Sequence, residues 1–237
     1  MILTYWYLSN NYSPLSLPPS TTQADSNTNF IKVNDMTKAL VIKSSIFSGQ
    51  GESSKLVDHS VAVLKQQFGD IEIIERDFST SPIEHLSGET VAAFMAEDAS
   101  DLSSKQQQAL NLSNELISEL KSVDYIILGV PMYNFGIPST LKAWIDYVAR
   151  AGVTFSYSEN GPVGLINNVK KVIVAAARGG VYQGTPKDTQ TNYLIDLLSF
   201  IGINNVEFVY AEALNMGEKD AALGKAHQKI KQIVEVL

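Results

Sequence analysis

Tyr125-Ile126-Ile127-Leu128-Gly129-Val130-Pro131-Met132-Tyr133-Asn134-Phe135-Gly136-Ile137-Pro138 reads as a strand that ends in a binding surface. Its first half is a continuous Ile-rich apolar run, the pattern of a strand buried on both faces of a parallel sheet. The strand stops at Pro131 and delivers Met132, Tyr133, Asn134 and Phe135 to its carboxyl end. In an open parallel sheet, ligands bind in the crevice outside the carboxyl ends of the strands. Met and aromatic side chains offer a flat, polarizable wall, and Asn offers both a donor and an acceptor. Such a wall suits a planar heteroaromatic ring. The plain alternative is an ordinary strand-to-helix turn.

Comparable runs flank this stretch. Ala39–Ile42 and Ile71–Glu75 precede it, and Lys171–Ala176 and Val206–Tyr210 follow it. The intervening segments carry helical spacing. Leu56, Val57, Val61, Leu64 and Phe68 mark a helix over 54–68. Leu110, Leu112, Leu116, Ile117 and Leu120 mark another over 103–120, opened by Ser103 or Ser104 as cap. Leu141, Trp144, Ile145 and Val148 form a stripe over 139–150. Further helices are expected over 190–201, ended by Gly202, and 219–236. A short helix near 89–95 is expected in the irregular stretch 82–101. Alternating strands and helices imply βαβ units and a parallel α/β sheet. Five strands with a phosphate-type loop after the first suit the flavodoxin-like doubly wound order 2-1-3-4-5, with helices on both faces.

A chain of 237 residues and 25.9 kDa fits one domain with a sizeable core, expected over residues 37–237. Residues 1–36 are rich in Ser, Thr, Asn and Pro and lack periodicity, so they read as a disordered N-terminal extension. The first basic residue is Lys32, which fits neither a secretory signal nor a transit peptide. Met36, just before the first strand, is the expected natural start. A net charge of -7 argues against nucleic-acid binding, which needs a basic face. No run approaches the roughly 20 apolar residues that cross a bilayer, so no membrane partner is expected. The absence of Cys removes thiol chemistry and Cys-ligated metals, and fits a cytoplasmic location. His59, His85 and His227 show no metal-ligand spacing, so no metal site is expected; His59 and His227 are expected to face solvent or to pack on a helix edge.

Three loops meet at the same end of this sheet. The first is Lys43-Ser44-Ser45-Ile46-Phe47-Ser48-Gly49-Gln50-Gly51-Glu52-Ser53-Ser54. It has neither a dinucleotide fingerprint nor a Walker lysine. Its hydroxyls, glycines and the free N–H groups of a helix start can bind a phosphate monoester without a basic residue. The alternative is a polar loop that caps its helix. Glu52 is expected to turn its side chain to water. The second loop is the Pro131–Phe135 segment. The third, Ala175-Ala176-Ala177-Arg178-Gly179-Gly180-Val181-Tyr182, follows the fourth strand; its two glycines allow close backbone approach to a ring edge, with Arg178 a candidate for stabilising negative charge or simply a surface Arg. A phosphate end, an aromatic wall and a Gly-rich edge together describe a mononucleotide with a flat ring, and flavin mononucleotide (FMN) fits better than a nicotinamide cofactor.

KSSIFSGQGESSKL (43–56), the Pro131–Phe135 segment, Ala149-Arg150-Ala151-Gly152-Val153-Thr154-Phe155 with Glu159-Asn160-Gly161-Pro162, and Arg178-Gly179-Gly180 together resemble the bacterial FMN-dependent NADH azoreductases. These belong to the NAD(P)H quinone reductase branch of the flavodoxin-like fold. The resemblance covers residues 37–237. It implies a homodimer that reduces quinones and azo compounds by two electrons, with ping-pong hydride transfer from NADH through FMN, and with NADPH as an alternative donor. No side chain is expected as a catalytic residue, because the cofactor reacts. By the same resemblance, Ser45, Gly51, Glu52 and Ser53 match the phosphate and ribityl contacts. Pro131, Met132, Tyr133, Asn134 and Phe135 match the segment along the ring, and Ala177, Arg178, Gly179 and Gly180 match its far side. Phe155 and Tyr157 match the substrate side near the dimer interface, with core packing as the alternative. Ala177 and Gly51 stand where some relatives carry Ser. A flavodoxin-type single-electron carrier or a flavin-binding regulatory module, and a cofactor-free interaction protein, are the competing readings.

Overall fold

The computed structural model describes residues 36–237. The expected extension and its proposed end at Met36 therefore lie, Met36 apart, outside the described residues. From the amino end the elements are β1 (Lys38–Lys43), α1 (Glu52–Phe68), β2 (Glu72–Asp77), α2 (Gly88–Phe94), α3 (Ser104–Ser122) and β3 (Tyr125–Pro131). They continue with α4 (Ser139–Val148), β4 (Phe155–Ser158), β5 (Gly161–Gly164), β6 (Lys171–Ala177), α5 (Thr191–Phe200), β7 (Val206–Ala211) and α6 (Lys219–Val234).

Five strands form one parallel sheet in the order β2-β1-β3-β6-β7. Counted among the sheet strands alone, this is the expected 2-1-3-4-5. The numbers differ because β4 and β5 form a separate antiparallel hairpin, with Ser158 paired to Gly161. The sequence signal for it was the turn-forming Asn160-Gly161 pair, and Gly161 sits at φ +108.

All seven residues of β3 are buried, as its unbroken apolar run requires. Alternate side chains feed two cores. Leu40, Ile42, Ile126, Leu128 and Val130 point to one face, where Leu116, Trp144 and Leu198 bring α3, α4 and α5 against the sheet. Ala39, Val41, Ile127, Ile173 and Ala175 point to the other, covered by Leu56 and Leu64 of α1 and by Ile230 and Ile233 of α6. Burying both faces of a strand removes apolar area worth about 25 cal/mol per Å2 from water, and that drives this layered arrangement. The chain runs from β1 out to β2 and crosses back to β3, so the crevice above β1 and β3 lies at the switch point of the sheet. Ser103 caps α3, accepting from the Gln106 N–H while the Gln106 side chain accepts from the Ser103 N–H.

Candidate functional site

The loop after β1 enters the crevice and turns into α1. That helix begins at Glu52, two residues before its apolar spacing announces it, and its N-cap is Gly51, which supplies no side-chain cap. The orphan N–H groups of its first turn are thus left for another acceptor. Ser45 is 1% exposed, and a Cβ on Gly51 would lie 2.1 Å from its Oγ and 2.6 Å from its Cβ. The loop closes this tightly only because residue 51 is glycine. Ser53 Oγ and Ser54 Oγ are buried without a hydrogen-bond partner. A buried hydroxyl with no partner costs about 1–3 kcal/mol, so these groups are poised for a ligand or water.

Glu52 departs from expectation. Its side chain turns away from bulk water, and Oε1 accepts from Lys55 Nζ at 2.9 Å and from Lys219 Nζ of α6 at 2.8 Å. Burial pushes this carboxyl's pKa up, but the two lysines outweigh burial and hold it below its ordinary value. The acidic residue beside the helix start is therefore neutralised by its neighbours.

At the end of β3 the chain makes a two-residue turn. Tyr133 N–H donates to the Gly136 carbonyl at 3.1 Å and Gly136 N–H to the Tyr133 carbonyl at 2.9 Å. The central residues Asn134 and Phe135 have φ of +49 and +65. Asn tolerates this region, whereas a bulky residue such as Phe135 pays roughly 1–2 kcal/mol. Strain of this kind persists where the surroundings over-determine it. Tyr133 points back to the first loop: its hydroxyl lies 3.2 Å from Ser45 Oγ and accepts from the Ile46 N–H at 3.3 Å. It ties the ring-wall segment to the serine loop.

Met132, Asn134 and Phe135 on one side and Gly179, Gly180, Tyr182 and Asn215 on the other line a concavity of about 340 Å3. Phe135 and Tyr182 meet edge to face at its rim, with centroids 5.8 Å apart. Among the described residues, the N–H groups of Gly179 and Gly180 have no partner and remain available as donors. The Gly180 and Gly179 carbonyls accept from Ala213 and Asn215 N–H groups, each at 3.0 Å. A Cβ on Gly179 would come within 2.6 Å of Asn215 Nδ2, so a side chain there would displace the Asn215 amide from the rim of the concavity. Ala177, at the end of β6, accepts from the Met132 N–H at 3.0 Å.

Arg178 is neither at the surface nor in the concavity. Its side chain is fully buried. It pairs with Asp188 at 2.8 Å and Glu212 at 3.1 Å and lies over the Tyr210 ring. The two carboxylates pull the guanidinium inward, so its positive charge is consumed there, and only the backbone of this loop faces the pocket. Phe155 is likewise buried, 4.2 Å from Phe200 between ring centroids. Tyr157 stands exposed on the β4–β5 hairpin, and neither residue lines the concavity. Of the two expectations for His59 and His227, packing on a helix edge holds: their rings meet between α1 and α6 with centroids 4.2 Å apart and planes tilted by 34°.

The sequence places Tyr182 in the third loop without singling it out, and gives no sign of Asn215, Asp188, Gln190 or Glu212 as site residues. All lie on loops or strand ends without periodicity, and only the Gly-rich, turn-forming composition of 179–190 marked that neighbourhood.

This arrangement offers a hydroxyl-lined anion pocket at a helix N-terminus, an apolar wall and a backbone-donor edge. Residues 37–234 match the family described as the flavodoxin-like fold. Over 197 residues the chain is 47% identical to an FMN-dependent NADH:quinone oxidoreductase of Cellvibrio japonicus, covering 83% of this chain and 98% of that protein. Over 193 residues it is 52% identical to the protein of that name from Alcanivorax borkumensis, covering 81% and 96%.

The chain belongs to the FMN-dependent NADH:quinone oxidoreductase family.

Among solved structures, an azoreductase from Bacillus anthracis str. Sterne superposes on this member of the family with a TM-score of 0.78. The two are 26% identical, and the match covers 85% of this chain and 100% of that one. A second azoreductase, from Bacillus anthracis str. Ames Ancestor and solved in complex with FMN, gives a TM-score of 0.77 at 22% identity and shares the fold. It covers 84% of this chain and 98% of that one. No helix among the described residues is long and apolar enough to cross a membrane.

Proposed function

We propose that this protein is an FMN-dependent NADH:quinone oxidoreductase that also reduces aromatic azo compounds. The observation that carries the reading is the serine pocket. Ser53 Oγ is buried and unpartnered beside an uncapped helix start and the buried Ser45. That is the donor set a phosphate monoester needs, and it fits FMN without any basic residue.

Ser45, Ser53 and the first turn of α1, including the Glu52 N–H, would hold the phosphate. The Pro131–Phe135 segment would support the ring, and the backbone after Ala177, at Arg178, Gly179 and Gly180, would face its polar edge. Bound FMN supplies the chemistry, accepting a hydride from NADH and passing two electrons to the acceptor. The free N–H groups of Gly179 and Gly180 are placed to stabilise negative charge that builds on that edge. No side chain of the site is an obligatory acid or base, and the proton that accompanies the hydride to the acceptor would come from solvent or a nearby group.

Active protein in this reading is a cytoplasmic homodimer. Tyr157, Val163 and Leu165 on the hairpin and Ile195 on α5 are exposed apolar side chains, a face suited to a second copy that would bring Phe155 and Tyr157 near the substrate side. NADH is the expected donor and NADPH the alternative.

The test is the visible spectrum of the purified protein. Flavin bands that bleach on adding NADH under anaerobic conditions and return with a benzoquinone are expected. A protein that takes up no added FMN, or whose flavin NADH leaves oxidised, would overturn the proposal.

A further inference from the structure

The strained Asn134–Phe135 turn needs something to hold it, and the structure shows what does. Gln190, 1% exposed at the start of α5, aims its carboxamide at this turn. Nε2 donates to the Pro131 carbonyl and to the Gly136 carbonyl, each at 3.0 Å. Oε1 accepts from Arg178 Nε at 3.2 Å. The orientation is fixed by chemistry, since two carbonyls require donors and a guanidinium requires an acceptor. Thr189, the neighbouring residue, donates from its hydroxyl to the Phe135 carbonyl.

Arg178 also reaches the opposite wall. Its NH1 pairs with Glu212 Oε1, and the same oxygen accepts from the N–H groups of Tyr182 and Gln183, each at 2.9 Å. One buried guanidinium thus anchors both sides of the concavity, the turn through Gln190 and the 179–183 loop through Glu212. Asp188 and Thr191 hold the guanidinium itself.

We propose that Gln190 is a positioning residue for the flavin: its carboxamide transmits the fixed position of Arg178 to the Pro131–Gly136 turn and so sets the gap between the two walls that take the ring. This rests on the FMN reading above. Gln190 touches no reacting atom and acts only through the turn. A side chain of similar shape without the amide takes the side-chain donor from the Pro131 carbonyl and leaves the Gly136 carbonyl only the Tyr133 N–H, and the turn relaxes toward the less strained backbone its sequence prefers.

The experiment uses the full chain, reconstituted with FMN and followed by quenching of flavin fluorescence. Wild-type binding is the control for the FMN reading itself. Gln190→Met is expected to bind FMN roughly ten-fold more weakly, as expected for losing a buried hydrogen-bonded amide. The absorption maximum of the flavin still bound is expected to shift, and KM for the quinone to rise more than kcat falls. Leu198→Ala, a core cavity on the same helix, is the comparison for plain destabilisation: it should lower the unfolding midpoint of the apoprotein and leave FMN affinity nearly unchanged. FMN affinity and spectrum of Gln190→Met equal to wild type would overturn the proposal. So would a loss of affinity that Leu198→Ala matches. If Gln190→Met does not fold, Gln190→Glu carries the same test, since it keeps the acceptor toward Arg178 and removes the amide donors; wild-type affinity and spectrum there would equally overturn it.

Discussion

The serine loop and the ring wall, the two ends of the candidate site, are built in opposite ways. The serine end is local: Ser45, Gly51, Ser53 and Ser54 lie within one loop and one helix turn, and two of their hydroxyls are unpartnered. The ring wall is non-local: a turn at 131–136 is held by Gln190, which is held by Arg178, which is held by Asp188 and Glu212. One end keeps buried hydroxyls free for a ligand, and the other ties its buried side-chain polar groups to one another and leaves backbone N–H groups, those of Gly179 and Gly180, open to the concavity. The serine end thus pays in buried unsatisfied hydroxyls for readiness, whereas the wall gains rigidity. The first should respond to mutation in ligand affinity alone, the second in stability as well as in affinity.

Arg178→Leu gives the largest expected effect. It leaves Asp188 and Glu212, both largely buried, facing each other without their cation. Removing one partner of a buried ion pair costs about 3–5 kcal/mol. Urea unfolding of the apoprotein should show that loss. A loss under about 1 kcal/mol would mean the cluster behaves like a surface pair, and the contrast between the two ends would fail.

Ser53→Ala should act at the other end and in the other way. Removing an unpartnered buried hydroxyl leaves apoprotein stability unchanged or slightly raised. FMN affinity should fall about ten-fold, the scale of one hydrogen bond to a charged group. Riboflavin, which lacks the phosphate, sharpens the test: its affinity should not move. Equal losses for both ligands would remove Ser53 from the phosphate pocket.

The same contrast explains what could be read in advance. β3 announced itself because a strand buried on both faces must be apolar throughout, whereas hydroxyls and glycines before a helical stripe left the 45–54 loop readable either as a helix cap or as an anion site, and the helix start has no side-chain cap. The wall's side chains were also visible, since Met132 to Phe135 directly follow their strand. Their support was not. Gln190 stands 59 residues from Pro131, and no periodicity links an amide in one loop to a carbonyl in another. Arg178 was placed in the right loop but facing the wrong way, because its direction depends on Asp188 and Glu212, which only the folded chain brings to it. Glu52 was misjudged for the same reason, its partner Lys219 belonging to the last helix. The β4–β5 hairpin is a different case, since Asn160-Gly161 was a readable turn signal outweighed by the weak alternation around it.

Acid should separate the two ends by the smallest of these effects. In the wall, burial would raise the Asp188 carboxyl, but the bonds from Arg178 and Thr191 outweigh it and hold the group below its ordinary value of 3.8. The helix of the serine end instead meets α6 through the stacked His59 and His227. Burial, then the charge on His227, then that of Lys231 lower the pKa of His59, outweighing a contact with the His227 backbone that raises it. The unfolded chain therefore binds a proton at His59 near its ordinary value of 6.5, while the native chain still excludes it. Stability is retained above that value and lost as pH falls from it through the lower native value. Because His59 is partly exposed, solvent screening keeps the loss modest. The measurement belongs on the apoprotein, since a bound phosphate titrates in the same range. Between about pH 7.5 and about pH 5.5 the urea midpoint of wild type should fall further than that of His59→Phe, which keeps a stacked ring and cannot titrate. If the two fall together, the histidine stack plays no part in the acid response, and the serine end is as indifferent to pH as the wall.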